Sequence, residues 1–246
     1  MFFEKKHRLF IGRFPYLHTN HYCHGFSTRK GGISRPPYDS LNLGGQSADD
    51  PADVLKNRQA FFGALEIDPE QLAIPEQVHG DHIAYVDSPG YYAATDGLIT
   101  DVKDIRLTVL VADCVAIYLL DPPHHAAGLV HAGWRGSRLG IVWNAVENMR
   151  DRFGSDPGRM LAWMGPSIGS CCYRVGNEVA SQFPAACIRD HHLDLQYSHR
   201  LQLEAAGLPA GSITNTPLCT QCHPEFFYSH RGGKGKTGRM MAVFGL

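Results

Sequence analysis

Residues 105–136 read "IRLTVLVADCVAIYLLDPPHHAAGLVHAGWRG". The apolar run over 105–120 is rich in β-branched residues and is broken only at Ala112-Asp113-Cys114, so it reads as sheet. "DPPHH" turns the chain, and "AAGLV" then runs into His131, which predicts a hairpin. With a four-residue loop at Asp121–His124, Leu120 faces His125. Equal steps back along both strands then set Cys114 opposite His131. Side chains paired in this way have Cβ atoms about 4.5–5.5 Å apart, near enough to share a metal ion. Beyond "HAGWRG" the segment "SRLGIVWNAVENMRDRF" predicts a helix, with Ser137 as its N-cap and Ile141, Val142, Ala145, Val146 and Met149 as its apolar face. A strand, a glycine turn and a helix start would aim free backbone N–H groups at whatever lies beside His131.

Working outward, Asp50 and Pro51 open another helix, "ADVLKNRQAFFGALEI". Val54, Leu55, Phe61, Phe62 and Leu65 fall on one side of it, with Arg58 in their midst. A guanidinium inside an apolar stripe either extends its head to water or meets an anionic ligand. Residues 20–46 are rich in glycine and proline and read as loop, after a short strand near His24–Thr28. "MLAWMG" reads as a strand, followed by short helices near 176–182 and 194–206. Strands and helices do not alternate strictly, so the expected class is α+β with a mixed or antiparallel sheet core, in a single domain over 1–246.

Composition narrows the functional classes. Lys plus Arg is 23 and Asp plus Glu 24, a net charge of −1. This excludes a nucleic-acid or anionic-membrane binder that works through bulk charge. Seven cysteines, an odd number without framework spacing, suit a reducing compartment. The start "MFFEKKHRLF" has no signal-like apolar stretch, and the expectation is a cytoplasmic protein. A monomer or small homo-oligomer acting on small molecules is expected.

His79 of "PEQVHG", Cys114 and His131 form the best candidate site. Two imidazoles and a thiolate suit zinc or copper, and three protein ligands leave an open position for chemistry. The same residues also suit a metal-free Cys–His hydrolase, with Cys114 as nucleophile and His131 as base. Asp113 is a candidate proton donor, although on a strand it would point away from Cys114. "HRGGKGKTGR" lacks the first glycine of a phosphate loop, since His230 stands there. "CTQC" (219–222) has no second Cys-x-x-Cys to complete a structural zinc site, so none is expected.

Several segments together resemble the YfiH family, also called laccase-domain or multicopper-polyphenol-oxidase-like proteins. They are "GFSTRKGGIS", "YDSLNLG", "VLKNR", "QVHG", "TDGLIT", "ADCVAIYL", "HAGWRG", "GPSIGSCCYRVG" and "FFYSHR…TGR", in order along nearly the whole chain. The resemblance implies a layered α+β β-sandwich with helices outside. It also implies a zinc-dependent purine nucleoside phosphorylase acting on adenosine, inosine or guanosine and methylthioadenosine, with adenosine deaminase activity. Older naming implies a copper laccase instead, which would need more copper ligands than the sequence offers. Carried over by motif, the metal ligands fall on His79, Cys114 and His131. A phosphate clamp falls on Arg58, with Asn42 and Arg29 as further pocket residues.

Overall fold

The computed structural model describes all residues, 1–246. The chain begins with β1 (Phe2–Lys6), β2 (Leu9–Arg13), a short α1 (Pro15–Thr19) and β3 (Cys23–Ser27). A long loop leads to α2 (Pro51–Leu65), then β4 (Leu72–Pro75), β5 (Ile83–Tyr85), β6 (Gly90–Tyr92), β7 (Gly97–Thr100) and β8 (Arg106–Val111). Next come β9 (Val115–Asp121), β10 (Ala126–Ala132), α3 (Trp134–Arg138), α4 (Ile141–Phe153) and β11 (Leu161–Met164). The remainder holds α5 (Asn177–Ala180), β12 (Ile188–Arg189), β13 (His192–Leu193), α6 (Leu195–Ala205), β14 (Ile213–Thr214) and β15 (Met240–Gly245).

Two sheets carry the architecture. One has seven strands in the order β1-β2-β3-β15-β8-β4-β6, the other six in the order β14-β11-β9-β10-β7-β5. Both mix parallel and antiparallel pairs, which bears out the expected α+β class. Alternation along the strands sorts side chains into layers. Ala116, Tyr118 and Leu120 of β9 meet Val109 of β8 and Ala242 and Phe244 of β15 between the sheets. Val115, Ile117 and Leu119 point the other way, under α4 and α6. Met241 and Val243 of β15 pack beneath Phe61 and Phe62 of α2. The order is helix, sheet, sheet, helix. Every residue of β9 and β10 is buried because both faces are covered, and this is why that sequence shows no polar alternation.

Four local expectations change. The hairpin loop keeps four residues but lies at Pro122–His125, because Asp121 stays in the strand opposite Ala126 and accepts from His124 Nδ1–H (2.7 Å). His131 therefore faces Ala116, not Cys114. The slip is two residues, so Cys114 remains on the same face, one step diagonal to His131. Ser137 is not an N-cap: the helix is split into α3 and α4 at Gly140, and the Ser137 hydroxyl donates back to the Gly133 carbonyl (2.7 Å). Leu55 is 58% exposed, and the inward face of α2 runs instead through Val54, Asn57 and Phe61. Asp50 does cap α2, accepting from the Ala52 N–H at 2.8 Å.

Candidate active site

The chain passes three times from the seven-stranded to the six-stranded sheet, and two of these crossings deliver a reactive side chain. One runs from β4 through His79 to β5, the other from β8 through Cys114 to β9. His131 comes from the last turn of the ladder on β10. Donor atoms of His79, Cys114 and His131 all lie within 4.8 Å of one another. The two imidazole rings meet edge to face, with centroids 4.8 Å apart.

Asp96, immediately before β7, holds this arrangement. Its carboxylate is completely buried and accepts four hydrogen bonds. Oδ1 takes the His79 N–H (3.0 Å) and His131 Nδ1–H (2.7 Å); Oδ2 takes the Val78 N–H (3.0 Å) and Gly80 N–H (2.8 Å). An ionised carboxylate only accepts, so His131 keeps a proton on Nδ1 and turns Nε2 toward the site. The three backbone bonds also hold His79 at a φ of 62°, a region costly for a residue with a Cβ. Burial works against the Asp96 charge, but His131 and the backbone donors outweigh it and keep the carboxyl below its usual range.

Gln77 fixes the same loop from the other side. Its amide donates to the Leu110 carbonyl (2.9 Å) and accepts from the Leu110 N–H (2.8 Å), imitating one further strand residue beside β8. Gly133 leaves room for the thiol: a Cβ there would stand 2.8 Å from Cys114 Sγ and 3.3 Å from His79 Cδ2. Burial alone would push the Cys114 thiol up, yet the adjoining His131 and His79 bring it down to about 6. Burial opposes the His131 imidazolium, whereas Cys114 and Asp96 raise it to about 9. Each charge favours the other, a thiolate beside an imidazolium, and a cation bound there would take the place of the Nε2 proton.

The three residues line a cleft of about 870 Å³. Arg58 and Arg239 also line it, against Gly45 and Gly44 respectively. Arg58 Nε donates to the Leu43 carbonyl (2.9 Å), and Arg239 Nη1 donates to the Thr237 and Gly238 carbonyls (both 3.0 Å). Neither belongs to any ion pair of the molecule. Two half-buried guanidinium groups with no carboxylate suit an anion. Trp134 lies under Arg135, whose guanidinium is 4.5 Å from the indole, and both face the cleft.

Two sequence candidates fall outside the cleft. Arg29 is paired to Asp39 (3.1 Å), bonds the Asp39 and Pro224 carbonyls, and stacks on Tyr228. Asn42 is fully buried and spends its amide on Ser47, Asp49, Gly44 and the Arg239 N–H. It therefore positions Arg239 and its glycine neighbour rather than touching a ligand. Asp113 lines the cleft at a φ of 85°, off any strand, but its carboxylate is taken up by Thr220 Oγ1 (2.6 Å) and the Arg231 N–H (2.7 Å). Asp96, Gln77 and Arg239 are the residues that motif reading passes over. The signal for Asp96 was an acid directly before a strand in "TDGLIT".

The donor set bears on which metals would fit. A two-histidine, one-cysteine set is shared by zinc centres and by electron-transfer copper sites, and the latter add a weak axial methionine or glutamine. No methionine lines the cleft, and the Gln77 amide is engaged at both ends. The three residues line the cleft, and a site of three protein donors beside open space is one that a catalytic zinc ion would fit.

Residues 23–246 match the family model described as multi-copper polyphenol oxidoreductase laccase. A purine nucleoside phosphorylase, YlmD, of Bacillus subtilis is 34% identical over 90% of this chain and 87% of its own length. A purine nucleoside phosphorylase of Deinococcus radiodurans is 38% identical over 91% and 88%. The crystal structure of YlmD from Geobacillus stearothermophilus superposes with a TM-score of 0.92 at 34% identity, covering 99% of this chain and 98% of that one. The YfiH structure of Bacillus licheniformis gives a TM-score of 0.90 with the same coverage.

Proposed function

The chain belongs to the multi-copper polyphenol oxidoreductase laccase family, and from that premise we propose that it is a zinc-dependent purine nucleoside phosphorylase. One observation carries the reading: the His79, Cys114 and His131 donors converge in the same cleft as the two guanidinium groups of Arg58 and Arg239. The substrates are adenosine, inosine or guanosine, and methylthioadenosine, with adenosine deamination as a second activity.

Zinc held by His79, Cys114 and His131 supplies Lewis acidity at the open position. Arg58 and Arg239 bind inorganic phosphate through their free N–H groups and orient one oxygen toward C1′ of the ribose. An oxygen of hydrogen phosphate forms the new bond to C1′ while the C1′–N9 bond breaks, and the purine leaves with the bonding pair and takes up the proton that the hydrogen phosphate gives up. Asp96 keeps the His131 proton on Nδ1 throughout, so Nε2 stays a ligand rather than a proton shuttle. Trp134 offers an aromatic face to the base. No helix is long and apolar enough to cross a membrane, and seven free cysteines suit the cytoplasm.

The test is the product profile from adenosine, with and without phosphate, for the native enzyme and Cys114→Ala. Free adenine with ribose-1-phosphate only when phosphate is present, and inosine without it, both lost in the variant, is the expected result. Turnover that survives chelation and is lost to thiol alkylation would instead indicate the Cys–His hydrolase, to which the thiolate–imidazolium pair also corresponds. Oxygen-dependent turnover of phenols would indicate the copper oxidase.

A further inference from the structure

Beside the cleft the chain gathers four more cysteines, two from the turn after β11 and two from the turn after β14. The sulfurs of Cys171, Cys172, Cys219 and Cys222 all lie within 4.8 Å of one another. Cys222 is 3.5 Å from Cys171 and 3.4 Å from Cys172. Tetrahedral zinc with Zn–S bonds of about 2.3 Å sets its sulfurs roughly 3.8 Å apart. A disulfide needs about 2.05 Å and joins only two of the four.

The surrounding backbone is built for negative sulfur. Cys219 Sγ accepts the Gly169 N–H at 3.2 Å, and the N–H groups of Gln221 and Cys222 are directed at it as well. The Cys-x-x-Cys turn thus wraps its own first thiol. The two turns are already laced together through Ser167, which bridges to Cys219 and accepts the Thr220 N–H (3.0 Å). The second pair of ligands is adjacent in sequence, not spaced by two, which is why spacing alone does not reveal it.

We propose that Cys171, Cys172, Cys219 and Cys222 form a tetrathiolate site that binds one zinc ion. Four sulfurs leave no open position, so the ion is structural. It fastens the wall of the cleft. Ile168 and Tyr173 line the cleft from the first turn and Arg231 from beyond the second. Asp113 joins both, its carbonyl accepting the Ile168 N–H (2.9 Å) and its carboxylate holding Thr220 and Arg231. The next residue is Cys114.

The experiment is zinc content by elemental mass spectrometry for protein purified without chelator, as native chain, Cys114→Ala, Cys222→Ser and the double variant. Cys114→Ala is expected to retain one zinc per chain, and Cys222→Ser to lose one relative to the native protein. X-ray absorption of the zinc left in Cys114→Ala is expected to show sulfur neighbours only, which tests the site even if Cys222→Ser does not fold. A Cys114→Ala protein free of zinc overturns the proposal, whether its four thiols titrate freely or mass mapping finds a disulfide to Cys222. These outcomes do not depend on nucleoside turnover, so the two readings stand or fall separately.

Discussion

Asp96→Asn changes one atom of the carboxylate and cannot satisfy the same four donors. An amide has a single oxygen. With that oxygen at the Oδ1 position, His131 and His79 keep their bonds, but the NH2 group faces the N–H groups of Val78 and Gly80. With the amide flipped, the NH2 faces His131 Nδ1 and forces the proton to Nε2, which removes the lone pair from the site. The first arrangement orphans two backbone donors, at about 1–3 kcal/mol each. The second also spoils a ligand. A loss near 4 kcal/mol follows, and at roughly 2–4 °C per kcal/mol for a chain of this size Tm falls by roughly 8–16 °C. Removing the partner of a ligating histidine also weakens metal affinity about 10–100-fold. Thermal unfolding with a chelator present isolates the first effect, and zinc competition with a chromophoric chelator at 20 °C below Tm reads the second. A variant within about 1 kcal/mol of native, with unchanged zinc affinity, would refute the role assigned to Asp96.

Three further substitutions test the site and the frame around it. His199 is fully buried under α3, bonded to the Ser137 hydroxyl (2.6 Å), and burial lowers its pKa to about 3. The unfolded chain takes up this proton below about 6.5 while the folded one does not, so stability is complete above that pH and declines as pH falls. At about 1.4 kcal/mol per unit the loss by pH 4.5 is ~3 kcal/mol. Urea unfolding from pH 7.5 to 4.5 should show the gap between native and His199→Gln closing by about that amount; parallel curves would sink the argument. Gly133→Ala places a methyl against Cys114 Sγ and His79 Cδ2. It is expected to lower zinc content and turnover far more than Tm, whereas Gly63→Ala, whose Cβ meets nothing within 4 Å on α2, should gain about 0.5–1 kcal/mol.

The sheet class, the hairpin and the His79–Cys114–His131 set were legible because motif and periodicity are local signals. What stayed hidden depends on pairing at long range. Asp96 acts on residues 16 to 18 positions away through backbone donors, which leave no residue pattern, and on the His131 ring 35 positions away. Met240–Gly245 is a central strand, but its short apolar run follows a glycine-rich basic loop and looks no different from a buried tail. Arg29 and Asn42 sit in matching motifs, yet neither lines the cleft, and both are engaged by neighbouring loop residues. Asn57, beside Arg58, is a buried hub that bonds Ile33, Ser34, Ser40 and Asn42, partners that sequence spacing does not announce.

The two sheet-to-sheet crossings at His79 and Cys114 carry a mechanical consequence. The layers are joined covalently at the very points where His79 and Cys114 are attached, while His131 belongs to one layer alone. A slide or rotation between the layers is therefore transmitted to the spacing of the reactive atoms, through the short crossing at Cys114 and, at His79, through a loop that Asp96 and Gln77 pin in place. Substitutions deep in the interlayer core, such as those at Phe26, Tyr118 or Trp163, thus act on the alignment of the centre from a distance. Catalytic competence becomes a gauge of how well the two layers are docked.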